Sequence, residues 1–182
     1  MPERAETGAV RASPWPEIDI RIEAPGWSAL ADAEAIARRA VKAVLADYAP
    51  DERGAVAVLL TGDAEIRALN RDFRRMDKPT NVLSFPAAGL PGENAPGESI
   101  LGDIALAYET CAREAEEEEK PIADHLAHLV VHGTLHLLGF DHETPDEAEE
   151  MEAEEVEILA RLGIADPYAG TEPAANPREA SS

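Results

Sequence analysis

All five histidines of the chain fall in "HLAHLVVHGTLHLLGFDH", residues 125–142. His132 and His136 are four residues apart, so on a helix they project from one face a single turn apart. Gly139 follows three residues later, where a glycine able to adopt a left-handed backbone can end the helix and let the chain turn His142 back toward the first two. Three imidazoles with one position left open form the arrangement of a catalytic rather than a structural zinc site. A water in that position would have its pKa lowered toward ~7. The expectation is one zinc ion per chain on His132, His136 and His142. His125 and His128 extend the same stripe by up to two turns; they either support the ligands and face the substrate or pack in the core. Asp141, beside the third ligand, either orients an imidazole N–H or caps the turn.

The spacing matches the zinc-protease pattern H-E-x-x-H-x-x-G-x-x-H at every histidine and at the glycine. It departs at one position, where Gly133 replaces the glutamate that activates water. Peptide hydrolysis needs that group to protonate its amine leaving group. A phosphodiester asks less of an acid and more of positive charge around the phosphoryl oxygens. The one locally cationic stretch of note is "RDFRRMDKPT", where Arg71, Arg74, Arg75 and Lys78 stand against Asp72 and Asp77. The site is therefore expected to pair the histidines, His132 with a catalytic role among them, with Arg74 as the group that braces a phosphate. Arg71, Arg75 and Lys78 are expected to contact a nucleic acid along the rim. For any single one of these cations a plain surface charge at a helix end is the competing reading.

The elements that must hold these residues follow from periodicity. "EIDIRIEA" alternates apolar and charged residues as a half-buried strand does, and "GAVAVLLTG", "NVLSF" and "ILGDIALA" supply three more strands. "SALADAEAIARRAVKAVLADY" predicts one helix with Ser28 as its N-cap, and "DAEIRALNRDFR" predicts another capped by Thr61 or Asp63. Three further helices are expected at about 107–119, 121–138 and 145–162. The order mixes βαβ with a hairpin-like pair, which makes an α+β or mixed-sheet α/β domain. "PAAGLPGENAPGES" reads as a long loop of the kind that borders sites, and "EAEEEE" as a solvated helix face.

Length and composition set outer bounds. The 182 residues suit one domain, placed at 17–165, with flexible segments at 1–16 and 166–182 that are rich in Ala, Pro, Ser and Glu. The single Cys111 excludes an internal disulfide and a multi-cysteine zinc site. No stretch approaches the ~20 apolar residues of a membrane span, and the start lacks a signal peptide's apolar segment, so a cytosolic protein without a membrane partner is expected. The net charge of −21 is unevenly spread: residues 1–100 carry 12 basic and 16 acidic side chains, residues 101–182 carry 4 and 21. Binding to a polyanion by bulk charge is thereby excluded, and only the cationic stretch of the first half is left for such a contact.

Two blocks carry a resemblance to the YbeY endoribonucleases, bacterial zinc-dependent proteins of ribosomal RNA maturation and ribosome quality control. They are "LNRDFRRMDKPTNVLSFP" (69–86), followed after the loop by "LGDIAL", and "HLAHLVVHGTLHLLGFDH", which continues into "DEAEEMEAEE". The similarity runs from about residue 17 to the "DPY" of Asp166–Tyr168. It implies metal ligands at His132, His136 and His142, a functional arginine at Arg74, and a mixed four-stranded sheet flanked by helices with the zinc in a cleft. Where many members carry Asp after Thr80, this chain has Asn81. The implied activity is endonucleolytic cleavage of single-stranded RNA at the 3′ end of small-subunit rRNA, with RNA and the small subunit or a ribosomal protein as partners. The alternatives from other classes are a ribosome-assembly module with structural zinc and, behind it, a metalloprotease without its glutamate. Whether a zinc-activated water or a ribose 2′-hydroxyl attacks phosphorus stays open.

Overall fold

Alternating apolar residues in four short segments build a sheet, and the helices between them cover its faces. The computed structural model describes residues 17–48, 54–87 and 99–169; the expected N-terminal tail, the Pro/Gly loop at 88–98 and the chain from 170 onward lie outside the described residues. The elements are β1 (Glu17–Ile22), α1 (Pro25–Ala29), α2 (Ala33–Tyr48), β2 (Gly54–Thr61), α3 (Asp63–Arg74), β3 (Val82–Pro86), β4 (Ser99–Ala107), α4 (Tyr108–Glu117), α5 (Ile122–Leu137) and α6 (Pro145–Arg161). The sheet order is β1-β2-β4-β3. β1, β2 and β4 run parallel, while β3 pairs with β4 antiparallel, the hairpin-like pair of the sequence reading.

Val56, Val58 and Leu60 of β2, with Ile104 and Leu106 of β4, turn to one face of the sheet and meet Val41 and Leu45 of α2 and Leu126, Val130 and Leu135 of α5. This is the main core, and it fixes α5 against the sheet. α3 covers part of the opposite face through Ile66, which packs with Leu83 and Ala105. The result is an α+β domain with a mixed four-stranded sheet.

Two local expectations are corrected. Between β1 and β2 the described residues hold two helices, not one, and Ser28 is no N-cap. Pro25 opens α1, Leu30 leaves it in extended geometry, and Asp32 at φ 60° separates it from α2. The cause is Trp27, which is fully buried and donates its indole N–H to the Thr61 carbonyl at 3.0 Å. Burying so large a ring contributes on the order of 2–3 kcal/mol, more than the preference of Ser28 for a cap. At α3 the N-cap is Gly62, with no side-chain cap. The Asp63 carboxylate accepts instead from the Thr110 hydroxyl at 2.7 Å and the Thr110 N–H at 3.2 Å, which ties α3 to α4.

α5 is the helix that carries the histidines. Gly133 lies at its closest approach to the sheet: a Cβ there would stand 2.9 Å from Ile104 Cγ2 and 3.1 Å from Ser84 Oγ. After Leu138, Gly139 takes φ 98° and turns the chain back, as the sequence predicts. Thr144 and Glu147 then form a reciprocal capping box at the start of α6.

Candidate metal centre

His132 and His136 share one face of α5, and the turn after Gly139 brings His142 to them. One nitrogen from each lies within 4.8 Å of the other two. The Nε2 atoms of His132 and His136 are 3.1 Å apart, and the His136 and His142 ring centres 5.0 Å. A tetrahedral ion with bonds of ~2.0–2.1 Å sets its ligand atoms about 3.4 Å apart, so this donor set of three imidazoles fits a zinc-like ion. Burial, then the neighbouring His132 and His142, hold His136 below the ordinary imidazole value. That favours the neutral form a metal requires.

The His132 ring is oriented from behind by a residue the sequence reading missed. Its Nδ1 hydrogen-bonds the Glu155 carboxylate of α6. With the proton assigned to Nδ1, the Nε2 lone pair faces the other two histidines, the arrangement that fixes tautomer and direction in metal sites. Glu155 is fully buried. It also accepts from the Tyr168 hydroxyl, and it lies 3.3 Å from His128 Nε2. Burial by itself would raise this carboxyl, but hydrogen bonds from His128 and His132, the His132 charge and the Tyr168 hydroxyl hold it at about 2. A sequence signal existed: Glu155 occupies the buried stripe Met151, Glu155, Ile158, Leu159 of α6, and an acid on an apolar stripe needs partners.

The remaining expected residues separate into groups. His128 supports the centre through the Glu155 network. His125 is a core residue, 4% exposed, with Nε2 2.8 Å from Glu114 of α4. Glu114 therefore leaves the solvated face read in "EAEEEE", and its carboxylate also accepts from Asn81 Nδ2 at 3.1 Å. Asn81 uses its other atom to accept the Val82 N–H at 2.7 Å, so an amide at this position can both donate and accept. Asp141 orients no imidazole; it caps the turn by accepting the His142 N–H at 2.8 Å. The segment from 166 is docked over its first residues: Pro167 is buried, and its carbonyl accepts from Lys120 at 3.0 Å.

The histidines open onto a cleft of about 700 Å³ between the end of α3, β3 and the turn after α5, lined on its far side by Arg74 and Lys78. Arg74 donates to the Ser84 carbonyl at 2.8 Å and lies 5.9 Å from the centre of the Phe85 ring. Arg71 and Arg75 do not line this cleft. Arg71 pairs with Asp72 at 3.1 Å, and Arg75 closes α3 in a left-handed conformation. A side chain at Gly133 would start against Ile104 and Ser84 of the sheet, so a glutamate could stand there only if the helix or the sheet shifted.

Residues 22–163 match the model of the family described as endoribonuclease YbeY. An endoribonuclease YbeY of Azorhizobium caulinodans is 59% identical over 155 residues, covering 84% of this chain and 96% of its own. That of Bradyrhizobium diazoefficiens is 55% identical over 157 residues, covering 85% and 86%. A solution structure of a Thermotoga maritima protein, 26% identical, superposes with a TM-score of 0.52 over 87% of this chain and 99% of that one. A family match that spans both the cationic stretch and every histidine, together with relatives aligned over nearly their whole length, leaves one assignment: the chain belongs to the YbeY endoribonuclease family.

Proposed function

We propose that this chain is a single-zinc endoribonuclease that cuts single-stranded RNA in the cytoplasm, in the maturation of the small-subunit rRNA 3′ end and in ribosome quality control. The observation that carries the reading is the placing of Arg74 across one cleft from His132, His136 and His142. Those three imidazoles would hold the ion, one per chain. When bound, zinc supplies a Lewis acid for a phosphoryl oxygen. Glu155 keeps His132 in the tautomer that ligates. Arg74, steadied by the Ser84 carbonyl, keeps further N–H donors for the phosphate, and its planar fork can grip two oxygens at once. Lys78 adds a second cation to the same wall. The metalloprotease alternative loses its footing at Gly133, where the sheet leaves no room for the missing glutamate. The small subunit or one of its proteins is the partner that would place so acidic a protein on RNA.

The test is cleavage of an unstructured oligoribonucleotide by zinc-loaded full-length protein, beside a His132→Ala protein purified identically. Cleavage by the first and not the second is expected. Equal cleavage by both, or digestion of casein with RNA left intact, would refute the reading.

A further inference from the structure

Among the described residues β3 is an edge strand whose ladder partner is β4. Along an antiparallel edge, residues alternate between facing the partner and facing away, and the N–H and C=O of one residue point the same way. Two bonds set the parity. Ala107 N–H donates to the Asn81 carbonyl at 3.0 Å, and Ala87 N–H to the Leu101 carbonyl at 3.0 Å. Odd-numbered residues of the strand therefore face β4, and Val82, Ser84 and Pro86 face outward. The Arg74 hydrogen bond to the Ser84 carbonyl fixes the same direction independently. All three outward residues line the cleft shared with His132.

Every exposed backbone donor must be accounted for. Pro86 has no N–H. The Val82 N–H is taken by the Asn81 side chain at 2.7 Å. Among the described residues that leaves the Ser84 N–H as the one donor of this strand edge aimed into the cleft, beside the guanidinium that holds the Ser84 carbonyl. The Ser84 hydroxyl is turned the other way, where it donates to the Gly133 carbonyl at 3.3 Å. An edge with one donor is a poor template for an incoming peptide strand, which needs donors at alternate positions. A donor beside a fixed guanidinium suits the oxygens of a single phosphoryl group, where it acts without reorganisation.

We propose that the Ser84 backbone N–H and the Arg74 guanidinium together form the phosphoryl-oxygen cradle of this cleft, so that Ser84 acts through its main chain and not its hydroxyl. The proposal rests on the endoribonuclease reading, and its test keeps the two apart. Replacing the Leu83–Ser84 amide by an ester in the zinc-loaded full chain deletes the donor and keeps the side chain; Ser84→Pro deletes it genetically, at an edge position that tolerates proline. The substrate is a short oligoribonucleotide with one mapped cleavage position. The ester protein should bind zinc as wild type does and lose about 100-fold in kcat/KM. Sulfur at one nonbridging oxygen of the scissile phosphate should slow wild type and cost the ester protein about tenfold less, a coupling that a merely structural effect would not produce. If Ser84→Pro fails to fold, the ester protein decides. Activity within about threefold of wild type, or an undiminished sulfur penalty, overturns the proposal. A wild-type protein that binds but never cuts RNA overturns the endoribonuclease reading instead. The role of Ser84 is then decided by fluorescence anisotropy, where the ester protein should bind about tenfold more weakly and equal affinity refutes it.

Discussion

Replacing Glu155 by glutamine probes the support of the metal centre without opening a cavity. The carboxylate is fully buried and meets His132 Nδ1, His128 Nε2 and the Tyr168 hydroxyl. Glutamine offers one acceptor oxygen, and its amide turns donors toward donors. Each buried donor left unpaired costs ~1–3 kcal/mol, so the metal-free protein should lose about 3 kcal/mol. That corresponds to ~6–12 °C in Tm for a chain of this size. Zinc affinity, followed by competition with a chromophoric chelator, should fall ~10–100-fold because the His132 ring loses its orienting partner. The pH dependence carries the same signature. Glu155 is held at about 2, below the ordinary 4.5, so its stabilising contribution is fully present above about pH 4.5 and is lost as the pH falls toward 2. Glu155→Gln should flatten this part of the acid-denaturation curve. A variant that binds zinc within about twofold of wild type and melts at the same temperature would refute the claim that Glu155 positions His132.

Chelation of the zinc-loaded chain should lower Tm, because the ion ties α5 to the turn that follows it. At a hundredfold excess over Kd the linkage is about 2.7 kcal/mol, or ~5–11 °C, read by thermal melts with and without chelator. Gly133→Ala gains up to ~1 kcal/mol of helix propensity but drives a Cβ against Ile104 Cγ2 at 2.9 Å. Since Ile104 is β-branched and fully buried, overpacking of ~1–3 kcal/mol wins, and a denaturant titration should show a net loss of about 1 kcal/mol. Arg74→Ala should retain its zinc and lose about 100-fold in kcat with a smaller change in RNA affinity; Arg74→Lys should stay impaired, since a point charge cannot replace the fork. Full activity in Arg74→Ala would show that the phosphate is held elsewhere.

The strands, the later helices and the histidine cluster were legible because each is a periodic pattern that local geometry turns directly into a face. His132, His136 and Gly139 need only the helical repeat and a left-handed stop. What was not legible depends on partners distant in the chain. Trp27 breaks the expected long helix because Thr61, 34 residues later, receives its indole N–H. His125 and His128 looked alike as members of one stripe, yet α4 presents Glu114 to the first and α6 presents Glu155 to the second. Asp141 satisfied a local backbone N–H before any imidazole, since the local bond requires no further ordering of the chain.

The cationic stretch around Arg74 suggested a positive cleft, but its four cations diverge in space, and only Arg74 and Lys78 line the cleft, with Asp141 and Glu143 opposite them. The side chains of the walls therefore nearly balance. A polyanion drawn to this surface gains little from long-range steering, because the chain carries −21 overall and exposed charges are screened within ~8–10 Å. Attraction must come from contacts made inside the cleft, where a bound divalent ion would be the largest local charge. Such contacts are few, so the affinity for free RNA must be low and its salt dependence shallow, about −0.7 per phosphate contact for a single strand. Discrimination is then expected to pass from binding to positioning, with cleavage of isolated RNA poorly selective and better directed when a second macromolecule holds the strand in the cleft.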